Sequence, residues 1–356
     1  MLTPYQPVIR QLPPFQLATP VKDWQGGLLV RLTNWLGDCL MLLPALWQLR
    51  QVIPSDCPLI GLCPASLAPL GKACHWLDQI IPLTSRRADG EIKSQIRAIK
   101  PGAALVMPNS FGSALDVWHC GIPRRLGRAG RWRSLLLTDT FPEWPAHSNQ
   151  EQCHQLSYYL QLVSAFGDIA WTDECPSLRT NPELAIKLGV TAAQDWTALA
   201  PGAAFGPAKQ WPAEYFAEVA RELSRRGQRL VILGTAKDSG TAALIRQQCS
   251  DVLDLTGKTS LEELMSVLGT VRRVLANDSG TMHLAAALGT PGVAIFGSTD
   301  PLATGPLGGR WLLRISDASC RPCFQRTCHL ANSEQYHCLK GITPEQVLGD
   351  LQELDR

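Results

Sequence analysis

Charge is scarce in this chain of 356 residues: Asp, Glu, Lys and Arg make up 18% of it, with a net charge of only +2. So small a surplus gives no argument for a nucleic-acid partner. Long apolar runs are missing as well, since none approaches the roughly 18 to 20 residues of a membrane span. The opening residues lack the basic-then-apolar layout of a secretory signal. Pro4, Pro7, Pro13, Pro14 and Pro20 instead make residues 1–25 an irregular extension. Most of the twelve cysteines sit singly in apolar segments, as buried thiols do, which points to the cytoplasm. Three catalytic signatures are also absent. There is no G-x-x-x-x-G-K-[ST], so no P-loop NTPase. Leu32-Thr33-Asn34-Trp35-Leu36-Gly37-Asp38 follows the first strand in place of a dinucleotide glycine pattern, and there is no G-x-S-x-G elbow.

The most informative stretch runs from Arg272 to Pro301. Arg273 to Ala276 and Val293 to Phe296 read as short buried parallel strands. Between them, Asn277-Asp278-Ser279-Gly280 has turn and N-cap chemistry, and Met282 to Leu288 is helical up to Gly289 and Pro291. A helix N-terminus beyond the carboxyl end of a sheet favours an anion, typically a phosphate. His283 and a second polar loop, Gly297-Ser298-Thr299-Asp300, point to a site rather than a bare cap.

Around this stretch the chain alternates. Strands are expected at Leu28–Leu32, 59–62, 79–83, 103–107, 197–200, 229–233 and 252–255, with helical patterns between. That alternation means parallel sheets covered on both faces. Pro44 is expected to kink or interrupt the apolar helix from Cys39 to Val52. A helix is expected over Glu151 to Phe166, and an amphipathic one from Ala213 to Arg226. The division is 1–25 extension, 26–180 first Rossmann-like domain and 181–356 second, a doubly wound α/β pair facing each other across a cleft. The last helix is expected to pack back on the first domain. Polar loops fall at strand ends around Asp38, at Pro108-Asn109-Ser110, around Lys209, at Lys237-Asp238 and from Asp278 to His283. Between Asp116 and Asp139 the only charges are arginines, Arg124, Arg125, Arg128, Arg131 and Arg133. They read either as a solvated basic loop or as a contact for an acidic partner.

WLGDCLMLLPAL, LAPGAAFGPAKQWP, LGTAKD, LTGKTSLEEL, NDSGTMHLAAALGTP and FGSTDPLATGPLG resemble the family 9 glycosyltransferases, in the expected order from Leu28 onward. MPNSFGSAL and GIPRRLGRAGRWRSLLLTD resemble its heptosyltransferases in particular, the type that adds a second heptose to the lipopolysaccharide inner core. The resemblance implies a GT-B fold with the nucleotide sugar on the C-terminal domain and the acceptor on the N-terminal one. It implies inversion without a metal for chemistry, with Asp38 as general base and Lys209 holding the leaving diphosphate. Backbone N–H groups at Ser279, Gly280 and Thr281 and the His283 ring would assist. Asp238 would bind ribose, Asp278 the sugar or diphosphate, and Thr259 would border the adenine. Asn109, Ser110, Arg124, Arg125 and Arg128 would meet an acidic lipid A core at the inner membrane, with Trp132 in the headgroup zone. Simpler readings stand beside these: Asp38 as an N-cap, His283 as a core histidine, Asp238 as a surface acid. Another nucleotide sugar or acceptor, or a homologue that binds without turnover, are the alternatives.

Cys320-x2-Cys323-x4-Cys328-x9-Cys338, with His329 and His337, opens with a zinc-like spacing but matches no standard finger as a set. Structural zinc, reduced thiols ordering a loop, and disulfides all remain open.

Overall fold

The computed structural model describes residues 3–21, 24–130, 132–143 and 153–355. The chain falls into two compact units, Val8–Arg179 and Met1–Pro7 with Thr180–Arg356. Elements of the first are β1 (Leu28–Arg31), α1 (Leu36–Val52), β2 (Leu59–Pro64), α2 (Ala68–Ala73), β3 (Gln79–Leu83), α3 (Gly90–Ile99), β4 (Ala103–Val106), α4 (Phe111–His119), β5 (Arg124–Arg128), β6 (Asp139–Phe141) and α5 (Gln155–Val163). The second holds α6 (Pro182–Lys187), β7 (Trp196–Ala200), α7 (Ala213–Arg225), β8 (Arg229–Ile232), α8 (Ser239–Gln248), β9 (Leu253–Asp254), α9 (Leu261–Thr270), β10 (Arg273–Asn277), α10 (Gly280–Ala287), β11 (Gly292–Phe296), α11 (Pro301–Thr304), β12 (Trp311–Ile315), α12 (His337–Lys340) and α13 (Pro344–Glu353).

Each unit has one parallel six-stranded sheet, ordered β3-β2-β1-β4-β5-β6 and β12-β11-β10-β7-β8-β9. The two orders are the same doubly wound pattern, whose switch points lie between β1 and β4 and between β7 and β10. β1, β4, β7, β10 and β11 are buried along their whole length, as strands covered on both faces must be. On α7 the spacing of Phe216, Val219, Ala220 and Leu223 turns one face into the core of the second unit.

Several expectations need correction. α1 runs unbroken through Pro44. The arginine-rich stretch contains β5, an inner strand paired with β4 and β6. It is therefore no solvated loop. α5 starts at Gln155; Glu151, Gln152 and Arg131 lie outside the described residues. α13, where a return to the first domain is expected, buries Val347 and Leu351 in the second unit's own core. Among its described residues the extension has no regular structure, yet it is anchored. His154 N–H donates to Val8 O, Arg10 N–H to Ser157 Oγ and Phe15 N–H to Ser164 Oγ. Phe15 also stacks on Phe141 with centroids 4.4 Å apart.

Candidate active site

In the second unit the site begins where β10 ends. Asn277, the last residue of β10, is fully buried and joins two loops: its Oδ1 accepts from Trp211 N–H at 3.1 Å and its Nδ2 donates to Pro201 O at 2.6 Å. The chain then turns, and Ser279 caps α10 by accepting from Met282 N–H. Asp278 is thus not the cap. Its carboxylate receives Lys209 Nζ at 2.5 Å and the Thr299 hydroxyl at 2.5 Å. Lys209 comes from the short turn Pro207–Lys209, with its ammonium 5.0 Å from the Phe205 ring centre. Ser279, Gly280 and Thr281 at the start of α10 are half-exposed, so this N-terminus, with its unpaired N–H groups, stays open to a ligand. One turn on, His283 is buried; burial holds its pKa down at about 4 against the pull of Asp278, so the ring is neutral at physiological pH.

Asp238 stands at the end of the β8 loop, half-buried, with Oδ2 accepting from Thr235 N–H at 2.8 Å and from its hydroxyl at 2.9 Å. Glycines make its surroundings: a Cβ at Gly202 would lie 2.7 Å from the carboxylate, and one at Gly234 3.0 Å. Thr259 is half-buried just before Ser260, the cap of α9. These residues lie on the loops that follow β7, β8, β9 and β10, all at carboxyl ends of the sheet.

Arg321 and Arg326 are not singled out in the sequence, and Asn277, grouped there with the turn, is the last residue of β10. Arg321 donates from Nε to Gly297 O at 3.1 Å and from Nη2 to Thr299 O at 3.0 Å. Phe324 N–H donates to Ser298 O, Ser298 N–H to Ala208 O, and Ala208 N–H to Arg326 O. The cysteine-rich segment therefore props up both loops that carry Lys209 and Thr299. The only sequence signal for this was the density of positionally special residues, Cys, Pro and Arg, after β12. All four of its cysteines are free thiols, and Cys328 Sγ accepts from Tyr336 N–H. Burial pushes the Cys338 thiol up, with the charges of Cys320, Cys323 and Cys328 adding to it. Among the described residues no three metal-ligating side chains are gathered closely enough to hold an ion.

In the first unit, Asp38 lies in the first turn of α1, half-buried, and Trp35 occupies the cap position. A carboxylate there is favoured by the helix dipole. Gln155 Nε2, 3.5 Å from Asp38 Oδ1, donates to Tyr159 Oη at 2.6 Å; burial, reinforced by the Asp38 charge, keeps the Tyr159 phenol protonated. Ser110 caps α4 through Ser113 N–H, and Asn109 precedes it. Arg124, Arg125 and Arg128 are engaged within their own unit. Arg124 pairs with Asp139 at 2.9 Å, and Arg125 donates to Leu136 O and Ile122 O. Arg128, buried, donates to Pro142 O, Tyr158 O and Gln161 Oε1. Arg133 differs. It is fully buried, donates through Nη1 to Pro108 O, and leaves Nε and Nη2 without partners among the described residues. Burial lowers its pKa to about 10.

Two doubly wound parallel sheets of one order are the architecture of the GT-B glycosyltransferases. A solved structure of the ADP-heptose lipopolysaccharide heptosyltransferase II of E. coli superposes with a TM-score of 0.76 at 27% identity, covering 92% of this chain and 98% of that one. The chain belongs to glycosyltransferase family 9, whose family model, described as heptosyltransferase, matches residues 91–334. It is similar to lipopolysaccharide heptosyltransferase 2 of Escherichia coli K12, 29% identical with 90% of this chain and 96% of the relative covered. It is also similar to lipooligosaccharide heptosyltransferase 2 of Haemophilus influenzae, 28% identical with 90% and 97% covered.

Proposed function

We propose that this glycosyltransferase moves a heptose from ADP-heptose to the heptosyl-Kdo-lipid A inner core with inversion. The observation that carries the reading is the Lys209–Asp278–Thr299 cluster beside the open N-terminus of α10. That arrangement suits a leaving diphosphate, whose charge grows as the sugar departs. Residues 181–356 would hold the donor and residues 26–180 the acceptor.

In this reading Asp38 takes the proton of the acceptor hydroxyl as that oxygen attacks the anomeric carbon. The bond from that carbon to the diphosphate breaks on the opposite face, and ADP leaves with the bonding pair. A positioned base of this kind contributes roughly 10²- to 10⁴-fold. Lys209 shares its ammonium between Asp278 and the diphosphate, the N–H groups of Ser279, Gly280 and Thr281 meet the phosphate oxygens, and the neutral His283 ring donates one hydrogen bond. Asp238, with one oxygen held by Thr235 and the other in a glycine-lined recess, would take the ribose hydroxyls, and Thr259 would border the adenine.

For the acceptor, Asn109 and Ser110 would frame the loop into α4, and the buried Arg133, donating to Pro108 O, would hold that loop in place. Arg124, Arg125 and Arg128 support that region through β5. No helix among the described residues is long and apolar enough to cross a membrane. Trp132 and Leu135, 82% and 80% exposed, would rest in the headgroup zone of the inner membrane, giving a peripheral enzyme at the cytoplasmic face. The four thiols are read as a reduced set ordering their loop. To take a structural zinc the segment would have to draw in, and metal analysis of protein purified without chelator tests this. The reading as a whole is tested by presenting ADP-heptose and other nucleotide sugars with a defined heptosyl-Kdo-lipid A acceptor. Preference for another sugar would replace the donor assigned here.

A further inference from the structure

The irregular N-terminal extension carries a hook that reaches the donor loops. Tyr5 is held at two points: its N–H donates to Trp311 O at 2.7 Å, and its hydroxyl donates to Pro301 O at 2.8 Å. Its ring lies against the backbone of Gly305, where a Cβ would sit 2.3 Å from the Tyr5 Cζ and Oη. The backbone of Gly305 has φ −67° and ψ 168°, which any residue can adopt. The ring, not the backbone conformation, is therefore what requires glycine at this position.

Pro301 to Gly305 continue directly from the loop whose Thr299 hydroxyl holds Asp278, and Asp278 holds Lys209. Asp300, between the two, caps α11 by accepting from Leu302 N–H. Thr299, Asp300 and Pro301 are thus consecutive in the chain, and each is pinned by its own hydrogen bond. Arg321 fixes this loop at Gly297 and Thr299, and Tyr5 fixes its far end. The hook is not on a free terminus, since the chain after it is gripped at Val8, Arg10 and Phe15. Ordering an irregular segment costs backbone entropy, and contacts this specific offset that cost.

We propose that Tyr5 is a positioning residue for transfer: it fixes the Ser298–Gly305 loop so that Thr299 keeps Asp278 and Lys209 aimed at the leaving diphosphate. The inference rests on the donor reading given above for Lys209.

Five proteins test it: wild type, Tyr5→Phe, Tyr5→Ala, Gly305→Ala and the double variant Tyr5→Ala/Gly305→Ala. ADP affinity is measured by calorimetry, turnover with ADP-heptose as donor, and folding by thermal denaturation. Tyr5→Ala should lower kcat about tenfold with a smaller change in ADP affinity, because the aim of Lys209 matters most as charge develops. Tyr5→Phe, which keeps the ring and loses the bond to Pro301, should fall between. Gly305→Ala should match Tyr5→Ala by displacing the ring, and the double variant should be no worse than either single one. Independent, multiplying losses, or variants that lose only thermal stability while keeping wild-type kcat and ADP affinity, would overturn the inference. Wild-type protein that fails to bind ADP would overturn the donor reading and this inference with it. Wild-type protein that binds ADP and turns over, alongside variants that do so equally well, would overturn the inference alone.

Discussion

Lys209 Nζ stands 2.5 Å from Asp278 Oδ2, and the Thr299 hydroxyl donates to that same oxygen. Both ionic side chains are largely out of water, at 13% and 2% exposure. The carboxylate thus has its charge met inside the protein before any ligand arrives, and a diphosphate must share the lysine with it. Removing the cation with Lys209→Met leaves Asp278 buried and uncompensated. Chemical denaturation should show a loss of about 3 kcal/mol, and kcat should fall by about 10² to 10³. Wild-type turnover in this variant would remove Lys209 from the reaction.

His283 supplies a pH test. Its folded-state pKa is held at about 4 by burial, against about 6.5 in the unfolded chain. Between these values the unfolded chain binds the extra proton, so this share of stability is complete above pH 6.5 and is lost as pH falls toward 4. The loss is on the order of 3 kcal/mol, and it should be missing from His283→Asn when the two proteins are unfolded side by side at pH 7.5 and pH 4.5. Ring resonances of His283 that titrate near pH 6.5 would contradict the neutral, buried imidazole.

Arg128 and Arg133 come from the same basic stretch but should respond differently. Arg128→Gln breaks bonds to Pro142, Tyr158 and Gln161 and should lower the melting temperature while leaving acceptor KM near wild type. Arg133→Gln removes the buried cation that holds Pro108 O at the entrance to α4, and should raise acceptor KM about tenfold with ADP affinity unchanged. Reversal of the two patterns would move the acceptor contact to β5.

The contrast between these arginines shows what was legible in the sequence. The turn from Asn277 to Gly280, the apolar runs around it and the polar loops at Asp38, Lys209 and Asp238 were readable, because period, caps and glycine act locally. β5 was not, since a strand spelled Arg-Arg-Leu-Gly-Arg lacks the apolar run of a buried parallel strand. It is tolerated because Asp139 and backbone oxygens meet its guanidiniums, and those partners lie elsewhere in the chain. Asn277 reads in the sequence as turn chemistry, whereas it is the last residue of β10 and ties Trp211 to Pro201. Thr299 is only one member of a polar loop in the sequence, since its bond to Asp278 spans 21 residues. Tyr5 is hidden among prolines that signal irregular structure but say nothing of its anchorage.

The role of Asp38 most directly tests the proposed reaction. Wild-type protein, ADP-heptose and a defined heptosyl-Kdo-lipid A acceptor should give an acceptor heavier by one heptose, with the anomeric configuration opposite to that of the donor. Asp38→Asn, which keeps the size and the place in the first turn of α1, should bind ADP as wild type does and form product slower by roughly 10²- to 10⁴-fold. Undiminished product from Asp38→Asn, or retained configuration in the wild-type product, would contradict the account.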